Sequence, residues 1–387
     1  MQLARYLKPL MLVGLAALFS CGSSSNNDTT PPPQSGGGGT QIAPAAVYVM
    51  TNTNISNSIR EFVRNGDGTL TYLNDFTTGG NGDASDLAGA AGSLVFQSAT
   101  NRFYAVNAGS NTISAMVLGT DGEIAVLSTV SSNGVRPVSI TFAGDLVYVL
   151  NYGDPNLNQP ANISGFKFVG AQLVPIQNST QVLSAPYPDP AQIGFHNSGT
   201  VLVVTERATN NITTFRLDSN GAALPGVAQG SVGNSPAGFD FTPNGLLVVA
   251  EGNDNNAGAG SSSVYNIGQD GTLVDLSVGV NNGQTGTSHA RIFPNAPFVY
   301  YTNTLSDTIS FYTLDANGNL LLQGNGQAAL TGFGPTDLGI SYDALYLYTL
   351  DQTEDTISTF SINPNGFLTP INAPVAVPAT AVGLVVR

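Results

Sequence analysis

An apolar alternating run, a Ser-Asn-Thr-Ile-Ser-like phrase and a glycine turn recur in that order seven times along the 387 residues, the turn being Asn-Gly or Asp-Gly in six copies and "VGAQL" in the third. A further strand precedes most copies, is missing before the first, and stands alone at the C-terminus as "TAVGLVVR". These observations predict an all-β chain: a seven-bladed β-propeller of four-stranded antiparallel blades, closed by its C-terminal strand.

The runs are "YVMTN" from Tyr48, "FYAVN" from Phe103, "VYVLN" from Val147, "LVVTE" from Leu202, "LVVAE" from Leu247, "VYYTN" from Val299 and "LYTLD" from Leu347. Their starts lie 44 to 55 residues apart. Alternation with period two half-buries a strand, and Asn-Gly or Asp-Gly between such runs supplies the positive φ of a tight turn. One such sheet cannot cover both of its faces. Stacked radially, seven of them can. The strand before each later copy ("SLVFQ", "VSITF", "AQIGF", "AGFDF", "ARIFP", "TDLGI") is the inner strand of its blade. The first blade takes its inner strand from the C-terminus.

Domain organisation follows. Arg5 and Lys8 precede the apolar run Leu10–Phe19, which is short for a membrane span and ends at "LFSC". Residues 1–20 read as a lipoprotein signal peptide, with Cys21, the only cysteine, as the lipidation site. Residues 21–44 read as the lipidated cysteine and a Gly-, Ser- and Pro-rich flexible linker, and residues 45–387 as the propeller. The expected location is the bacterial cell envelope, at the outer membrane, in the periplasm or on the cell surface, with the membrane engaged by the lipid anchor alone. A monomer is expected.

Composition narrows function. Net charge is −14, and the chain has two lysines, so nucleic acid is not a partner and phosphorylated ligands find few counter-charges. No Gly-x-Ser-x-Gly elbow, zinc-ligand spacing, calcium-loop pattern or Gly-rich phosphate loop occurs, and neither a cofactor nor a metal is expected.

Candidate site residues come from the rim where second strands end and inner strands begin. The second strands end in Asn52, Asn107, Asn151, Glu206, Glu251, Asn303 and Asp351. Asn and Asp there terminate strands by local hydrogen bonds. Glu does so poorly, so Glu206 and Glu251 read either as a catalytic carboxylate pair or as a plain polar rim. His289, in "SHARIF", is the histidine placed for catalysis, whereas His196 falls at a strand turn on the opposite face. Arg291 reads as the partner of Asp240 in the next blade. Arg136 and Arg207 are the cations at the mouth, with Arg207 a possible partner of Glu206. The expected set is His289, Glu206 and Glu251 as catalytic residues and Arg136, Arg207, Asn303 and Asp351 as substrate-binding residues, converging on one pocket.

The stretches "VVTERATNNITTF" (Val203–Phe215) and "DTISTFSINPNGFLTP" resemble the bacterial lactonase-like seven-bladed propellers, the group containing 6-phosphogluconolactonase and carboxymuconate cyclase relatives. The likeness runs from Ala45 to Arg387. It implies hydrolysis of a small carbohydrate lactone at the central-channel mouth. Where enzymes of that group carry a Pro-His-Pro-His type motif, this chain has "YPDPAQIGF", with Asp189 and no histidine. The alternative expectation is a non-catalytic surface propeller that binds a cell-surface glycan or a protein.

Overall fold

The computed structural model describes residues 45–85, 91–294 and 296–387. The signal-peptide and Cys21 readings fall on residues 1–44, outside the described residues. Every described strand belongs to one of seven antiparallel sheets, as the repeat predicts.

Blade one shows the closure. Its inner strand is Val382–Val386, followed outward by Ala46–Met50, Ser58–Arg64 and Leu70–Thr77. Val47 faces Val386 and Val49 faces Leu384, so the last strand of the chain pairs with the first. The inner strands of blades two to seven are Leu94–Gln97, Pro137–Ala143, Pro190–Phe195, Pro236–Phe241, Thr287–Ile292 and Pro335–Ile340. In blades three and six the outer strand is broken in two, which makes those sheets five-stranded.

The turns behave as their sequences require. Gly68, Gly122, Gly221, Gly271, Gly318 and Gly366 all have φ between 85° and 88°, a conformation L side chains rarely adopt. These turns also join neighbouring blades. The buried Tyr148, Tyr300 and Tyr348 donate their phenols to the carbonyls of Gly221, Gly366 and Gly68 at 2.6, 2.7 and 2.9 Å. A buried phenol needs such a partner, and here it lies in the next blade. The last of the three ties blade seven to blade one across the seam.

Inner strands lean on one another through side chains aimed at backbone. The Gln192 amide brackets Phe239, Asp240 accepts from the Ile292 amide, and Asp337 accepts from Leu384. In blades three to seven a one-residue bulge follows the first residue of the inner strand. A bulge re-aims side chains, and these sit directly below the mouth.

Candidate functional site at the channel mouth

Two repeat positions build the mouth. The residue that leads into the inner strand is held in left-handed backbone in five blades: Arg136 (φ 56°), Asp189 (54°), Ser235 (53°), Gly286 (70°) and Gly334 (69°). Its carbonyl accepts the amide of the residue just past the second strand, which is Tyr152, Arg207, Gly252, Thr304 or Gln352 in turn, at 2.9 to 3.1 Å. Glycine takes this conformation freely in blades six and seven, while Arg136 and Asp189 hold it at a cost of about 1 kcal/mol or more each. The large polar residues therefore cluster in blades three and four. The small residues of blades five and six leave room beside them. A cavity of about 610 Å³ opens there, lined among others by Tyr152, Asp189, Arg207, Ser235, Gly252 and Thr304.

The polar side forms one chain of contacts. Arg207 grips Asp189 with two parallel hydrogen bonds, Nε to Oδ2 at 2.9 Å and Nη2 to Oδ1 at 2.7 Å. The Tyr152 phenol donates to Asp189 Oδ1 at 2.8 Å. Over the Tyr152 ring, 5.0 Å from its centroid, lies the guanidinium of Arg136, which also bonds Asp83 Oδ2 and Ser85 Oγ at 2.9 Å each. Burial alone raises the Asp189 pKa. The hydrogen bonds and charge of Arg207, with Tyr152 and Arg136, outweigh it and hold the carboxyl below the usual carboxylate range. Burial and the neighbouring Asp189 charge push Tyr152 the other way. The result is an ionised carboxylate between a guanidinium and a neutral phenol.

The expected convergence of Glu206, Glu251 and His289 is not what the structure holds. Glu206 is fully buried and turns into its own blade. There it accepts from the Ser184 amide at 3.2 Å, the Ser184 hydroxyl, Thr209 Oγ1 at 2.9 Å and Thr213 Oγ1 at 2.6 Å. Glu251 accepts from the Gly233 amide at 3.0 Å and Ser261 Oγ at 2.5 Å; burial raises its pKa against those bonds. Asn303 and Asp351, expected to touch substrate, are likewise buried inside their blades, on Ser310 and Ser358 of the third strands. Each of the four lies one residue before the mouth position. Side chains alternate along a strand, so one step turns them from channel to blade. Arg136 and Arg207 are at the mouth as expected, but Arg207 pairs with Asp189 and not with Glu206.

His289 sits deeper. It lines the channel cavity of about 550 Å³ that runs between the inner strands, and it is buried. Its Nδ1 is 3.2 Å from Asp337 Oδ1, yet off the line a hydrogen bond needs. Burial lowers its pKa more than the Asp337 charge raises it, so the ring is neutral at pH 7. Arg291 meets Asp240 across the blades at 3.9 Å, as expected. His196 lies at the opposite turn, half-buried against Gly245 and Phe241. Among the described residues no His, Cys, Asp or Glu cluster suits a metal ion.

Tyr152 and Asp189 were absent from the expected set. The signal for both was available: each stands next to a rim residue, and each breaks the repeat with a side chain found in no other blade at its position.

Two segments, residues 162–278 and 268–385, match the family model described as lactonase, 7-bladed beta-propeller. Together they span more than half of the chain. The chain belongs to this lactonase family. Over 277 residues it is 25% identical to a 6-phosphogluconolactonase of Erwinia tasmaniensis, covering 68% of this chain and 77% of that one. A Serratia proteamaculans 6-phosphogluconolactonase matches at 25% over 177 residues, 45% of this chain and 51% of the relative. Among solved structures, the periplasmic gluconolactonase of Pseudomonas aeruginosa superposes with a TM-score of 0.67 at 17% identity, over 88% of this chain and 98% of that one. At that identity the likeness is one of fold.

Proposed function

We propose that this propeller hydrolyses a small, neutral polyhydroxy lactone in the mouth cavity. The observation that carries the reading is the ionised Asp189 held against Arg207 on the wall of a cavity large enough for a sugar lactone. In the proposed step Asp189 takes a proton from water as that water attacks the lactone carbonyl. Arg207 faces the negative charge that develops on the carbonyl oxygen. Collapse breaks the bond to the ring oxygen, which takes the proton back from Asp189 and leaves a hydroxy acid. Tyr152 positions the carboxylate. Asp254 and Ser288, also on the cavity wall, offer partners for substrate hydroxyls. Arg207 is the one cation among the described lining residues and is engaged by Asp189, which favours a neutral lactone over a phosphorylated one.

The test is turnover of glucono-δ-lactone above its spontaneous hydrolysis, followed in a pH-stat. Asp189→Asn and Arg207→Met should each lower kcat/KM by about a hundredfold or more, and 6-phosphoglucono-δ-lactone should be the poorer substrate. Because the Asp189 pKa is lowered, activity should hold through mildly acid pH and fail only below the ordinary carboxylate range. Full activity in Asp189→Asn would sink the assignment.

One observation favours a second reading. A carboxylate with a lowered pKa is a weak general base, and the same cavity would then bind a glycan or a protein loop without turning it over. No turnover of any lactone, alongside saturable glycan binding lost in Arg207→Met, would decide for it.

We further propose that the propeller works in the cell envelope. The signal-like first 20 residues and Cys21 support this. Among the described residues no helix is long and apolar enough to cross a membrane. Cys21→Ala should move the protein from the membrane fraction to the soluble one.

A further inference from the structure

The mouth cavity is walled unevenly. Charged and phenolic lining groups stand on blades three to five, while the loops of blades six and seven carry two large apolar side chains. Leu305, just past Thr304, is 57% exposed, and Phe333, just before Gly334, is 60% exposed. Single exposed apolar residues are ordinary on a protein surface. These two are not single, because their loops are bonded to each other. The Thr331 amide donates to the Asp307 carbonyl at 3.0 Å, and the Gly334 amide to Asp307 Oδ1 at 2.9 Å. Both loops also border residues that line the cavity. A Cβ on the cavity-lining Gly286 would stand 3.2 Å from Leu305 Cγ, and the Phe333 carbonyl accepts the amide of the cavity-lining Thr353 at 3.1 Å.

We propose that Leu305 and Phe333 are the apolar end of the substrate site, so that the lactone carries an alkyl or aryl substituent. That substituent lies on the two side chains while the lactone ring faces Asp189 and Arg207. The inference rests on the lactonase reading and adds the chemical class of its substrate. Backbone hydrogen bonds fix both loops, which leaves the side chains free to meet a ligand. A ligand that covers them removes apolar surface from water on both partners, at roughly 25 cal/mol per Å². With each methylene about half covered, kcat/KM should rise about twofold per carbon.

The experiment compares δ-valerolactone with its homologues carrying a propyl, pentyl or heptyl chain, with glucono-δ-lactone run beside them. Wild-type kcat/KM should climb with chain length. In the double variant Leu305→Ser, Phe333→Ser the climb should flatten, read as the ratio of longest to shortest chain within one preparation. That ratio cancels any general loss of activity, and two exposed loop residues can be replaced with the fold checked by its melting curve. Turnover of glucono-δ-lactone with a flat wild-type series overturns this inference alone. So does a climb that persists in the double variant. If no lactone is turned over, the lactonase reading fails and the proposed role of the ledge fails with it.

Discussion

Two adjacent residues in most blades have opposite fates. The last residue of the second strand, such as Asn107, Glu206, Asn303 or Asp351, is buried and bonds the third strand seven residues on, at Ser114, Thr213, Ser310 or Ser358. The next residue, Tyr152, Arg207, Gly252, Thr304 or Gln352, faces the mouth. The first position repeats its chemistry from blade to blade because every blade needs the same internal anchor. The second changes from blade to blade because the blades share one cavity. Polar residues that recur hold the frame; those that occur once make the site.

The frame is tested most severely by deleting Thr380–Arg387. This removes the inner strand of blade one and the Thr380 hydrogen bond to the Thr51 carbonyl at 2.6 Å. A fall in Tm of more than about 10 °C, or loss of cooperative melting, is expected. An unchanged melting curve would mean that the ring does not depend on its seam.

Next is the anchor itself. Glu206→Ala leaves the buried Thr213 hydroxyl without its acceptor and removes the bonds from Ser184 and Thr209, and should cost about 3 kcal/mol by urea unfolding. Asp189→Ala, at the half-exposed mouth, should cost under about 1 kcal/mol. Equal losses would erase the distinction between the two positions.

A third test uses pH. Burial raises the Asp351 pKa from 3.8 to about 6, against the bonds from Ser358, Thr349 and the Gly332 amide. Between those two values the folded state binds more protons than the unfolded one. Stability from this group is therefore greatest at low pH and declines as pH rises through about 6. Asp351→Asn cannot titrate, so its stability relative to wild type should improve by about 2 kcal/mol between pH 4 and pH 8. A constant difference would show that the carboxyl is not held protonated by its blade.

The smallest effect sharpens the mouth. Tyr152→Phe removes the phenol bond to Asp189 and keeps the ring under Arg136. It should lower lactonase kcat/KM about tenfold with Tm nearly unchanged, and shift the acid limb of the pH profile upward as the carboxylate loses a donor.

The sequence by itself determined the architecture. Seven copies of strand, hairpin phrase and glycine turn define seven sheets, and a strand missing at one end and spare at the other can only close a ring. Local rules suffice there, since alternation and positive-φ glycines act within a few residues. The sequence also located the rim, the Asp240–Arg291 contact, Arg136 and Arg207. Tertiary structure decided which rim side chains meet. The bulge and the left-handed residue that precedes the inner strand in blades three to seven set the facing of the mouth, so Glu206 and Glu251 turned inward while Arg207, next to Glu206, met Asp189 at the mouth. Asp189 found Arg207 because the carbonyl of one accepts the amide of the other. No local pattern states that pairing, because it depends on the register of two strands folded against each other.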